Sequence, residues 1–253
     1  MKIDRINRMH ELLKEVHNIS INDLCDTFNV SKNTIRRDIA ELEEKGIIRK
    51  VYGGIVLNER QQEPEPFSLR ETRNADAKKR IARLAAGFVK DGDVIYIDSG
   101  TTTMHMIPFL TEKQHLTIVT ASVHVINIAS SFANLNIIAT GGSLFMPSKA
   151  FVGPSVLQCL RQYNISKIFL ASTGISLAHG ATNASPLECE IKRCLIEKPC
   201  PHYLLVDSSK FGVASLMSYC ALKDLDCLIT DEMPPEKYRI YCKENGVQLV
   251  TPD

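Results

Sequence analysis

The chain has 253 residues, 44% hydrophobic and 23% charged, the balance of a globular protein long enough for one large domain or two smaller ones. Its net charge of +1 excludes nucleic-acid binding through bulk basicity, so any contact with an anionic polymer must come from cations gathered on one face. The charged N-terminus, MKIDRINRMHELLKEV, excludes a signal peptide or a membrane span, so a cytoplasmic location is the default expectation.

Residues 3–16 place Ile3, Ile6, Met9, Leu13 and Val16 at steps of three and four, one apolar stripe of a helix. In SINDLCDTFNV, Ser20 is followed three residues later by Asp23, a capping-box pattern. Ile21, Leu24, Cys25 and Phe28 then supply the buried face of a second short helix. Asn29 suits a tight left-handed connection and Ser31 can cap the next helix.

That third helix, about residues 31–45, carries Ile35, Ile39 and Leu42 on one face and Lys32, Asn33, Arg36 and Arg37 at its N-terminal end on the other. A helix entering a DNA major groove puts its base- and phosphate-contacting side chains there. A helical oligomerisation module with a solvated charged face is the alternative. It does not explain why cations open the helix while Asp38, Glu41, Glu43 and Glu44 follow, the reverse of what the helix dipole favours. Gly46 is placed to end the helix, and IIRKVYGGIVL reads as a hairpin around Gly53-Gly54, with Arg49 and Lys50 on it. Three helices and a hairpin make a winged helix-turn-helix over residues 1–57.

VSKNTIRRDIAELEEKGIIRKVYGG resembles the signature of the DeoR family of bacterial transcriptional regulators. The resemblance implies that Arg36 and Arg37 contact double-stranded operator DNA. Ser31, Lys32, Asn33, Thr34, Arg49 and Tyr52 complete the expected DNA-facing set.

Residues 58–73 are read as a linker, because NERQQEPEPFS is polar with two prolines and cannot build a core. Helical periodicity resumes through Ile81, Leu84, Ala85 and Phe88, with Lys78, Lys79, Arg80 and Arg83 read as a solvated basic face. From Asp91 onward β-type runs alternate with helical ones: DVIYIDSG, LTIVTA, LNIIATGG, KIFLAST, HYLLVDSS, DCLITD and VQLV. Helical segments intervene at about 102–112, 122–132, 154–163, 186–198 and 235–245. The alternation predicts an α/β domain over residues 74–253, with a mainly parallel sheet covered by helices.

Ligands bind such sheets outside the carboxyl ends of the strands. Those ends carry Asp98-Ser99-Gly100-Thr101-Thr102-Thr103, Thr120-Ala121-Ser122, Thr140-Gly141-Gly142-Ser143, Ser172-Thr173-Gly174 and Asp207-Ser208-Ser209-Lys210. Each alone is an ordinary turn composition. Converging on one edge, they form a crevice suited to a phosphate and sugar hydroxyls, with Lys210 a candidate charge partner. Eight scattered cysteines have no zinc-site spacing, so no metal, disulfide or cofactor is expected.

The family's C-terminal domain is similar to ribose-5-phosphate isomerases, and in the regulators it senses phosphorylated sugars. The resemblance therefore implies that DSGTTT grips a phosphate or sugar-alcohol phosphate and that Gly141 and Gly142 line the pocket. It also implies that Asp207 and Lys210 contribute, with Glu188, Lys192 and Lys149 near the site. Where many members have Gly-Ile/Val-Asp, this chain has Gly174-Ile175-Ser176, a carboxylate fewer; His179 either compensates or is a solvated loop residue. The expected function is a ligand-controlled repressor of a carbohydrate-use operon, acting as a homo-oligomer, dimer or tetramer. The alternative is a sugar-phosphate isomerase-like enzyme with an appended DNA-binding domain, using Asp98, Glu188 or Asp207 as an acid/base. The first reading assigns no catalytic residue.

Overall fold

The N-terminal apolar stripe is helical: the described residues among 5–16, namely 5, 6, 8, 9, 12, 13 and 16, are in helix, and Ile6, Met9 and Leu13 are buried while Val16 stays exposed. In this computed structural model the chain divides into two units, residues 1–61 and 62–253. The structure describes residues 5–252 except 7, 10, 11, 14, 15, 17, 45–47, 52, 53 and 58–65. Gly46, Tyr52 and Gly53 thus lie outside the described residues, as does most of the segment read as a linker, and no described helix is long and apolar enough to cross a membrane.

The first unit continues with β1 (Asn18–Ser20), α1 (Ile21–Phe28), α2 (Lys32–Glu44), β2 (Ile48–Val51) and β3 (Gly54–Leu57). Ser20 caps α1, its Oγ accepting from the Asp23 N–H at 3.1 Å, and Asn29 closes that helix in the left-handed region at φ 49°. β2 and β3 form the antiparallel hairpin, and β1 pairs on the far side of β3. The sequence pattern gives no sign of β1, which is only three residues long. Gly54 is required there, since a Cβ would lie 2.3 Å from the Ile19 carbonyl oxygen. Leu24, Ile35, Ile39, Leu42, Ile48 and Ile55 close over Ile6, Met9 and Leu13 as one core. Arg5 ties the first helical stretch to α2 with a two-pronged bond to buried Asp38, at 2.6 and 3.2 Å.

The second unit opens with α3 (Phe67–Thr72), α4 (Ala75–Ala86) and β4 (Val94–Ile97), followed by a 3-10 segment, Thr103–Phe109. β5 (Thr117–Thr120), α5 (Val123–Ala129), β6 (Asn136–Ala139), β7 (Ser143–Phe145), β8 (Ala150–Val152), α6 (Pro154–Gln162) and β9 (Lys167–Ala171) come next. Then follow β10 (Gly174–Ser176), β11 (Gly180–Asn183), α7 (Pro186–Ile196) and β12 (His202–Leu205), with a 3-10 turn at Ser208–Lys210. β13 (Met217–Cys220), β14 (Cys227–Ile229), α8 (Glu236–Glu244) and β15 (Gln248–Val250) complete the chain.

Seven strands make one sheet in the order β15-β14-β12-β9-β4-β5-β6, every pairing parallel. They are the seven apolar runs read from the sequence. Both faces are covered: Ile81 and Ala85 of α4, the 3-10 segment and α5 pack on Ile95, Ile97 and Phe169, while α6, α7 and α8 pack on Tyr96, Ile168 and Leu204. The chain leaves β4 toward β5 and β6 in one direction and returns through β9 toward β12, β14 and β15 in the other. The order reverses between β4 and β9, where an open α/β sheet leaves a crevice.

Three local expectations change. Residues 102–112 give a 3-10 segment rather than an α-helix: three consecutive threonines open it and Pro108 inside it has no N–H to donate. Residues 67–72, inside the segment read as linker, are helical and bury Phe67. Two antiparallel pieces, β7-β8 and β10-β11-β13, lie outside the seven runs.

Candidate functional site

In the first unit the charged end of α2 is built by its cap. Ser31 Oγ accepts from the Thr34 N–H at 3.3 Å and lies 3.0 Å from the Thr34 hydroxyl, fixing where the helix begins. Ile35, Ile39 and Leu42 turn inward, which leaves Lys32, Asn33, Arg36 and Arg37 exposed on the opposite side. The first turn carries no acid. Among the described residues neither Lys32, Arg36 nor Arg37 pairs with a carboxylate, whereas Asp38 is taken by Arg5 and Glu43 by Lys50. Three unneutralised cations at a helix N-terminus oppose the helix dipole and suit a polyanion. Of the wing residues, Arg49 lies on β2, and Tyr52 is outside the described residues.

In the second unit the crevice at the sheet reversal is walled by the loop after β4. Asp98 is buried and accepts from the Ala171 N–H at 2.9 Å, which pins the end of β4 to the end of β9. Lys192, one face of α7, bonds the same Asp98 oxygen and the Ala171 carbonyl at 2.8 Å. One helical turn earlier, Glu188 accepts from the Ser99 hydroxyl at 3.2 Å. Burial pushes the Glu188 carboxyl upward, with Lys192 opposing and Asp98 reinforcing. Asp98, Ser99, Glu188 and Lys192, far apart in sequence, thus form one buried polar cluster.

The loop itself turns tightly. Thr103 Oγ1 donates toward the carbonyls of Asp98 and Gly100, at 2.8 and 3.0 Å. Gly100 approaches β9 so closely that a Cβ would fall 2.2 Å from that of Ala171. Ser99, Thr101 and Thr102 are each at most 6% exposed. Among the described residues, no protein acceptor takes the backbone N–H of Ser99, Gly100, Thr101 or Thr102, nor do the Thr101 and Thr102 hydroxyls bond to protein. Consecutive unbonded amides with hydroxyls beside them form an anion-binding concavity.

Thr120 is buried and donates to the Ile97 carbonyl at 2.7 Å, so its hydroxyl closes the strand end rather than facing outward. Gly141 and Gly142, after β6, both take positive φ, and Gly142 packs under the Val152 carbonyl. Lys149 is exposed in the β7–β8 turn at φ 48°. Asp207 is buried, held by Asn74 Nδ2 and the Ser209 N–H at 3.1 Å each. Ser176 accepts from the His179 N–H at 3.0 Å and so closes the β10–β11 turn, with His179 exposed.

Two residues outside the expected set stand at this edge. Lys78 of α4, read as solvated, is 4% exposed and donates to the Arg70 carbonyl. Arg70, on α3, lies within the electrostatic reach of Glu188, Lys78 and His124. Phe67 holds α3 in place: its ring stacks on His124 at 3.7 Å and its N–H donates to the Pro147 carbonyl at 3.1 Å.

Residues 5–61 match the DeoR-like helix-turn-helix domain, and residues 73–232 match the DeoR C terminal sensor domain. The HTH-type transcriptional regulator IolR of Bacillus subtilis is 41% identical over 249 residues, 98% of this chain and 99% of that protein. The HTH-type transcriptional repressor GlcR of the same organism is 31% identical, over 98% and 95% of the two chains. The lactose phosphotransferase system repressor of Staphylococcus epidermidis is 33% identical, over 93% and 94%. Among solved structures, a D-ribose-5-phosphate isomerase in complex with phospho-erythronic acid is similar over 54% of each chain, at 17% identity and a TM-score of 0.41.

Proposed function

This chain belongs to the DeoR family, DNA-binding transcriptional regulators rather than enzymes, and we propose that it represses a carbohydrate-use operon under the control of a phosphorylated sugar. Operator DNA is read by Arg36 and Arg37 with Ser31, Lys32, Asn33 and Thr34, and the wing adds Arg49 and Tyr52. The phosphate sits on the Ser99–Thr103 loop, and the sugar hydroxyls face Asp98, Glu188 and Lys192. Gly141, Gly142, Lys149, Asp207 and Lys210 form the wider rim, and Thr120 supports the strand end. The observation that carries this reading is the row of four unbonded amides after β4, at the sheet reversal, beside a buried acid–base cluster.

Relatives point the same way: one is named a lactose phosphotransferase system repressor, a system whose name joins a sugar to phosphate transfer. A homo-oligomer, dimer or tetramer, follows from DNA geometry, since one winged helix makes too few contacts for selectivity and paired ones read two half-sites.

A ligand that binds only the folded chain raises its melting temperature. A thermal-shift screen of phosphorylated sugars and sugar alcohols, each beside its unphosphorylated form, tests the reading. At least one phosphorylated compound should shift the transition while its unphosphorylated form does not. Equal shifts within every pair would remove the phosphate from the account.

A further inference from the structure

Aspartate is among the residue types least often fully buried, yet Asp38 of α2 is only 1% exposed. It sits beside Ile39 of the helix's apolar stripe and directly after the exposed Arg36 and Arg37. Its two oxygens accept from the Arg5 guanidinium at 2.6 and 3.2 Å, and among the described residues no other side chain bonds it. Arg5 stands on the first helical stretch, which is itself held fast. Met9 and Leu13 of that stretch are fully buried in the shared core, and the Arg8 guanidinium lies 5.9 Å from the centroid of the Phe28 ring of α1.

Stability does not account for such a pair. The desolvation cost of a buried ion pair roughly cancels its attraction, and apolar residues of similar volume hold a core as well or better. Geometry accounts for it. Contacts among Ile35, Ile39 and Leu42 are non-directional, so they press α2 onto the core without fixing its rotation about its own axis. A two-pronged guanidinium–carboxylate bond is planar and directional, and it fixes that rotation. Any turn of α2 at Asp38 carries Arg36 and Arg37 through the same angle. Hydrogen bonds to base edges weaken steeply outside a narrow range of distance and angle, so base reading depends on that rotation. We propose, resting on the reading that α2 enters the major groove, that Arg5 is a positioning residue for operator recognition. Its pair with Asp38 sets the rotation at which Arg36 and Arg37 meet the bases.

Selection by the full chain from a library of random DNA duplexes at fixed salt tests this, because it needs no operator known in advance. Wild type should enrich one sequence motif. Arg5→Met combined with Asp38→Leu replaces both charges by apolar groups, so the melting temperature should stay near that of wild type. Net charge is unchanged, and non-specific binding rests on charge, so unselected duplex should be retained as by wild type. The enriched duplex, however, should bind roughly tenfold or more weaker. If the pair were only structural, restoring stability would restore the preference. A folded double variant that prefers the enriched duplex as strongly as wild type does therefore overturns the positioning role. Where the double variant does not fold, Arg5→Lys decides, because a lysine keeps the charge but cannot make the two-pronged bond. It should melt like wild type and lose several-fold in preference; no loss overturns the role. A wild type that retains DNA but enriches no motif overturns base reading by α2 itself.

Discussion

Asp98 and Lys192 have side chains at most 4% exposed, and each is the other's countercharge. A buried pair of this kind adds little over an apolar pair, but losing one partner leaves a charge with no water and no compensation. Lys192→Met should therefore cost about 3–5 kcal/mol in urea denaturation at pH 7, and Asp98→Asn in the same chain should recover much of it. A loss under about 1 kcal/mol would mean that Asp98 finds another partner. Glu188 adds a sign to the pH dependence. Its carboxyl is raised by burial, so the folded state holds that proton more tightly and stability falls as pH rises through the raised value. Sequence spacing placed Glu188 and Lys192 one helical turn apart, and the fold sets them against Asp98. Lys78 was not legible: among Lys78, Lys79, Arg80 and Arg83 nothing local shows which cation is covered, because its partner carbonyl belongs to α3, which directly follows Pro64 and Pro66 in the stretch read as linker.

At the scale of the element, α2 is a helix whose two ends carry the wrong charges for its own stability. Its core positions are filled by Ile35, Ile39 and Leu42, so tertiary packing holds it and the cations are spared for another task. Arg36→Ala should leave the melting temperature unchanged but weaken operator binding by about 1–3 kcal/mol, with looser base preference, measured by fluorescence anisotropy on wild-type and point-changed operators. Unaltered affinity and footprint would take Arg36 out of the interface. The seven parallel strands were legible because strands buried on both faces are continuous apolar runs with turn residues at each end. The remaining strands were not: SLF, GIS and GATN are only three or four residues long, and although β7-β8 and β10-β11 pair locally, β11 also pairs with β13, much farther along the chain.

For the whole molecule, DNA reading and ligand sensing belong to separate units, each with its own core. Regulation then requires a coupling free energy between the sites, and that coupling is reciprocal: a sugar phosphate that lowers operator affinity binds less tightly to the operator-bound chain. Couplings of this kind run to roughly 5–150-fold in affinity. The central claim is that a phosphorylated sugar, seated on the Ser99–Thr103 loop, controls operator binding. The direct measurement is the operator affinity of the full chain, by anisotropy at fixed salt, with and without the phosphorylated compound that shifts the melting transition, alongside its unphosphorylated form. The account predicts that the phosphorylated compound alone changes the affinity by about fivefold or more. An operator affinity unmoved by that compound, or steady conversion of it to product, would contradict the account.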